Sequence, residues 1–200
     1  MRAELQGIDC FHTLNESLLQ DLLRGVPKAT VYRRVVEQIA LIAYTGADLI
    51  VVTCSSTSPA VDIARQLTET TILKIDDPMA VAAVQAGSRM GLICTATSTV
   101  VPSSRLLECH ARELGRDIAI TPWIELNAYD ALMKGDRAKH DAIVLDATKP
   151  AASDADVLVL AQASLAHLAA GLSSSVTVPV LSSPPLLMRE IAKRSATSVC

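Results

Sequence analysis

The chain predicts an α/β fold, with parallel sheets whose strands are covered by crossover helices. Three observations lead there. Short runs rich in Val, Ile and Leu alternate with longer amphipathic or alanine-rich stretches, the pattern of strands buried on both faces. Half of the 200 residues are hydrophobic, which is enough to build a substantial core. The third is internal repetition. "ADLIVVTCSS" at 47–56 matches "ADVLVLAQAS" at 155–164, 108 positions on, and "TILKIDDP" at 71–78 matches "TVPVLSSP" at 177–184, 106 positions on. Two strand-turn-helix pairs at a nearly constant offset predict two related lobes rather than a short-period solenoid.

Taken in order, "GIDCFH" (7–12) is the first expected strand, and a helix over 30–44 ends at Gly46, glycine being the residue that closes helices in the left-handed conformation. "DLIVVT" (48–53) is a continuous apolar strand, followed by a helix over 57–68. "TILKI" (71–75) leads to a helix over 79–88, opened by Pro78, since proline fits the first turn. In the middle of the chain come "MGLIC" (90–94), a helix over 102–114, "DIAIT" (117–121), a helix over 126–134 and a short apolar strand "AIVLD" (142–146). "ATKPAASDAD" (147–156) reads as a loop. "VLVLA" (157–161), a helix over 164–172, "TVPVL" (177–181) and a helix over 184–194 at Pro184 complete the set. The lobes are expected at 1–88 plus 180–200 and at 89–179.

A net charge of −3, from 18 basic and 21 acidic residues without runs of either sign, excludes the electrostatic footprint of a nucleic-acid or anionic-membrane binder. The opening "MRAELQGIDC" lacks an apolar signal core, and no apolar run approaches the roughly 20 residues of a spanning helix, so a soluble cytoplasmic protein is expected. Five scattered cysteines, Cys10, Cys54, Cys94, Cys109 and Cys200, form no C-x-x-C pair or metal spacing and read as reduced thiols.

In an open parallel sheet, ligands bind beyond the carboxyl ends of the strands, where helix N-termini turn N–H groups outward. Three turns there are small and mostly hydroxyl-bearing, "TCSST" (53–57), "CTATST" (94–99) and "AQAS" (161–164), a set suited to cradling a carboxylate. Neither G-x-G-x-x-G nor G-x-x-x-x-G-K-[ST] occurs, which disfavours a dinucleotide or a P-loop nucleotide. Cys54 stands between a strand and a helix, where backbone N–H groups favour proton exchange or attack on carbon; the alternative is a space-filling thiol. Cys94 reads as core. Asp76 and Asp77 either orient a ligand or cap the helix at Pro78. His12 could face a cleft, whereas His110, His140 and His167 read as structural, and Trp123 as packing or an interface anchor.

These residues resemble the aspartate/glutamate/hydantoin racemase superfamily, which includes maleate isomerase and arylmalonate decarboxylase. "VVTCSST" resembles its first-cysteine motif, "GLICTATSTVVPSS" the strand and hydroxyl turn opening the second lobe, and "ADVLVLAQASLA" stands where the second-cysteine motif belongs. "HTLNESLL" is similar to a second-strand motif of other members. The resemblance implies two flavodoxin-like lobes with pseudo-twofold symmetry, cofactor-independent chemistry, no metal, a small carboxylate ligand and a homodimer or higher homo-oligomer. It implies Cys54 as acid/base or nucleophile. It assigns Ser55, Ser56, Thr95, Ser98, Thr99, Ala163 and Ser164 to carboxylate binding. Two departures accompany it: Gln162 replaces the second cysteine, and the family's first strand has no counterpart ahead of "GIDCFH". An amide does not titrate in this range, so two-thiol racemisation is not expected, and Gln162 becomes a binding or polarising group. The expected function is an isomerase, or a carbon–carbon lyase, acting through one cysteine; the alternative is a non-catalytic carboxylate-binding member.

Overall fold

The computed structural model describes residues 8–197. Its contacts divide the chain into two units, Met1–Ile75 with Pro185–Cys200, and Asp76–Pro184.

The first unit holds α1 (Ser17–Leu23), α2 (Lys28–Ala43), β1 (Leu49–Val52), α3 (Pro59–Ala64) and β2 (Thr71–Lys74). β1 and β2 run parallel, with Leu49 opposite Thr71 and Val52 opposite Lys74. α2 buries Val31, Val35 and Ile39, one stripe at fourfold spacing, against Ile50, Ile72 and the small face of α3, Ala60, Val61 and Ala64. Arg34 of α2 ties down α1 through Asp21 and the Ser17 hydroxyl. Residues 8–16 form no strand, contrary to the expectation for 7–12, and Gly7 lies outside the described residues. Phe11 is 91% and Leu14 81% exposed, so the largest apolar side chains of this segment are not packed as a strand would pack them.

The second unit contains α4 (Asp77–Ala86), β3 (Arg89–Cys94), α5 (Thr97–Glu113), β4 (Ala119–Ile124), α6 (Leu126–Met133), α7 (Arg137–Ser153), β5 (Val157–Leu160), a 3-10 helix (Ala163–Leu168), α8 (Ala169–Ser173), β6 (Val180–Ser182) and the start of α9 (Ser183–Thr197). Its four strands are all parallel in the order β4-β3-β5-β6. β3 and β5 are central, and their apolar runs are buried on both faces as a doubly covered sheet requires. The core gathers Ile93, Val144, Leu158, Leu160, Leu165 and Leu172.

Three differences from the expected elements have physical causes. "AIVLD" is helix rather than strand: α7 buries His140, Val144, Thr148 and Ala151, a helical stripe in which only Val144 is strongly apolar. The Asp136 carboxylate caps α7 by accepting from the Lys139 N–H at 3.0 Å, and the helix runs through the expected loop to Ser153 with Pro150 inside it. α5 begins at Thr97 rather than near Pro102, so Ser98 and Thr99 lie in its first turn. The expected lobes are 1–88 plus 180–200 and 89–179. α4 packs on α5, β5 and β6 and so is grouped with the second unit rather than the first, while α9 from Pro185 onward is grouped with the first.

Asp156 fastens the start of the central strands. Its carboxylate accepts from the N–H groups of Ser88 and Arg89 at 3.1 and 2.9 Å and from the Arg89 guanidinium at 2.7 Å. The backbone approaches so closely that a Cβ on Gly87 would stand 2.4 Å from the Asp156 Cβ.

Candidate functional site

In the first unit, Cys54 follows the end of β1 by two residues and is half-buried. The turn after it closes on its own carbonyl, which accepts from both the N–H and the hydroxyl of Thr57 at 3.2 Å. Ser55 and Ser56 are buried within this turn. α3 starts only at Pro59 and has six residues, so the helix expected from 57 is shorter and later. The helix dipole acts within about one turn of the helix end, which leaves little of it at Cys54.

In the second unit, β3 comes first in the chain yet lies between β4 and β5, so the direction of winding reverses between β3 and β5. The crevice beyond the carboxyl ends of strands at such a switch point is where doubly wound sheets bind ligands. Thr95 directly follows β3, and Gln162 follows β5 by two residues. The structure brings them together: Gln162 Oε1 accepts from the Thr95 N–H at 2.6 Å and from the Thr95 hydroxyl at 3.1 Å. The backbone N–H can only donate, so the atom facing it is the amide oxygen, and the amide NH2 takes no part in the contact. Thr95 is 1% exposed, which makes these donors costly to leave without an acceptor.

The neighbouring positions complete the picture. α5 begins beside Thr95 with the extended Ala96 as its N-cap and no side chain capping it. Ser98 is half-buried, Thr99 is buried, Ala163 is half-buried and Ser164 is exposed at the start of the 3-10 helix. Cys94 is fully buried, and that burial pushes its thiol up to about 12, in keeping with the core role read from its position. Asp76 is the N-cap of α4 by position, but its side chain makes no capping bond; Asp77 instead faces His110 at 3.4 Å. His12 is exposed, with Nε2 3.8 Å from the Cys10 sulfur.

Sequence reasoning missed the Gln162–Thr95 contact, the Asp156 clamp and a His140–Asp141–His167 cluster. Each joins segments far apart in the chain, and only the adjacent "HD" at 140–141 offered a local signal.

A family model described as Asp/Glu/Hydantoin racemase matches residues 9–191. No curated protein matches the chain by sequence. Among solved structures, a glutamate racemase isoform from Bacillus anthracis is similar at a TM-score of 0.65 and 17% identity, covering 86% of this chain and 66% of that one. An allantoin racemase from Klebsiella pneumoniae is similar at 0.63 and 19%, covering 86% and 69%. A mutant arylmalonate decarboxylase is similar at 0.55 and 16%, covering 84% and 75%. The chain therefore spans about two thirds of the length of the first two structures, and at these identities the likeness concerns the fold.

Proposed function

The chain belongs to the aspartate/glutamate/hydantoin racemase family, and on that premise we propose that it is a cofactor-independent enzyme acting on a small carboxylate through Cys54 as its single acid/base thiol. The substrate class is an amino acid, a hydantoin or a dicarboxylate. Thr95, Ser98, Thr99, Gln162, Ala163 and Ser164, with Ser55 and Ser56, are the proposed binding residues.

The contact that supports this reading most is Gln162 with Thr95. Gln162 stands where the family resemblance implies a second thiol, and pinning its oxygen at the switch point leaves the NH2 to donate to a ligand oxygen. In the proposed reaction the Cys54 thiolate takes the proton next to the carboxyl group, the carbon–hydrogen electron pair passes into the carboxyl oxygens, and hydrogen-bond donors to those oxygens stabilise that charge. The thiol then returns the proton to the same carbon. With one thiol the proton goes back on the face it left, so hydrogen exchange outruns inversion. A carbon–carbon lyase uses the same single donor: carbon dioxide departs, and the thiol protonates the carbon it leaves.

A second reading, a carboxylate-binding member without chemistry, is favoured by the amide at 162 itself, which can bind an anion but cannot exchange a proton. Alkylation of Cys54 by iodoacetamide, read by peptide mass spectrometry with the buried Cys94 as a silent internal control, tests the main reading. Protection of Cys54 by one of a panel of mono- and dicarboxylates is expected; labelling that no acid slows would remove the support for a carboxylate site at Cys54.

A further inference from the structure

Beside the 161–164 turn, the second unit holds a chain of hydrogen bonds that joins distant segments. His167, in the 3-10 helix, places Nδ1 2.9 Å from the Ser164 carbonyl oxygen and Nε2 2.9 Å from Oδ1 of Asp141 in α7. The same Oδ1 lies 2.7 Å from Nδ1 of His140, whose Nε2 is buried without a hydrogen-bond partner among the described residues. A carbonyl oxygen and an ionised carboxylate can only accept, so His167 satisfies both contacts only when both ring nitrogens carry protons. His140 has one acceptor to meet, and a proton on its buried Nε2 would be left unsatisfied, which selects the neutral Nδ1–H tautomer.

The surroundings leave few other groups to consider. β5 (VLVL), β6 (VLS) and α8 (AAGLS), which pack against the 3-10 helix, carry no ionisable side chain. On α7, Asp141 and His140 face the ring, and α6, packed on α7, brings Tyr129 and Asp130, neither of which joins this chain of bonds. Burial pushes the Asp141 carboxyl up, but the hydrogen bonds from His140 and His167 outweigh it and hold the group below the ordinary carboxylate range, as an acceptor of two N–H groups requires.

We propose that doubly protonated His167 is a positioning residue that clamps the 3-10 helix to α7 through Asp141 and so sets where Ala163 and Ser164 stand. Loss of one ring proton to water breaks one of the two bonds. The nitrogen that gives up the proton turns a lone pair toward an oxygen that has only lone pairs to offer. Breaking the Nε2 bond releases α7, and breaking the Nδ1 bond releases Ser164; either loosens the start of the turn. The clamp stands on this geometry, while its bearing on ligand binding rests on the carboxylate-binding reading above.

The test is NMR on the isotopically labelled full chain from about pH 5 to 8. It follows the His167 ring nitrogens and the Ala163, Ser164 and Leu165 amides, with His167→Gln and Asp141→Asn alongside and succinate titrated at each pH. Both nitrogens are expected to be protonated at the acid end, with the three amides shifting at the ring's own midpoint. In His167→Gln those amides are expected to stay flat. Amides that hold still while the ring titrates, or that move alike in His167→Gln, would overturn the clamp. Amides that follow the ring while succinate binding ignores it would uphold the clamp and count against the carboxylate-binding reading, so the two failures are distinguishable.

Discussion

Replacing Gln162 by Ala removes the acceptor shared by two donors of a threonine that is 1% exposed. A buried donor left without a partner costs about 1–3 kcal/mol. Because Gln162 is half-buried, a water can enter and recover part of this, which sets the lower end. For a chain of this size about 1–3 kcal/mol corresponds to a fall in Tm of roughly 2–12 °C. Gln162→Glu separates structure from binding. Its carboxylate can accept from the same N–H and hydroxyl, so stability is retained, but it offers no NH2 and repels an anionic ligand. The assays are thermal melts and urea titrations of the three proteins, followed by calorimetric titration with succinate. The expected pattern is a Tm lowered in Gln162→Ala and kept in Gln162→Glu, with succinate binding lost in Gln162→Glu. An unchanged Tm in Gln162→Ala, or full succinate binding in Gln162→Glu, would refute the reasoning.

Three further predictions concern the second unit. The Arg89 guanidinium, followed by the N–H groups of Arg89 and Ser88, holds the Asp156 carboxyl well below the usual range. A depressed carboxylate stabilises above its unfolded pKa of about 3.9 and loses that contribution as pH falls toward its folded value, so Asp156→Asn should flatten the acid limb of stability measured by urea midpoints. His110 has the opposite sign. Its hydrogen bond to Asp77, opposed by burial and joined by Glu113, raises it, so its contribution is complete below about 6.5 and fades as pH rises through the folded value. His110→Gln should remove that decline as pH rises above about 6.5. Gly87→Ala forces a Cβ to within 2.4 Å of the Asp156 Cβ, an overpacked contact expected to cost about 1–3 kcal/mol in equilibrium unfolding.

What the sequence disclosed and what it hid divide along a physical line. The repeat was legible because buried parallel strands carry their own signature. β1 and β5, at Leu49–Val52 and Val157–Leu160, keep the 108-residue offset of their motifs, and α4 and α9, starting at Asp77 and Ser183, keep the 106-residue offset. α7 was hidden because its buried stripe runs through His140 and Thr148, and Pro150 looks like a terminator. The start of α5 was displaced for a similar reason, Pro102 lying inside the helix rather than at its first position. Gln162 was identified as the changed residue, but its partner depends on β3 lying beside β5, a fact of strand order that local pattern does not carry. The His140–Asp141–His167 cluster likewise needs α7 set against the 3-10 helix.

The central claim, chemistry by one thiol on a small carboxylate, is tested most directly by hydrogen exchange in heavy water. The carboxylate that protects Cys54 would be incubated with the protein and with Cys54→Ala, and deuterium next to the carboxyl group would be read by NMR while chiral chromatography follows inversion. The account predicts incorporation that outpaces inversion and vanishes in Cys54→Ala. Exchange that persists in Cys54→Ala, or inversion as fast as exchange, would contradict it.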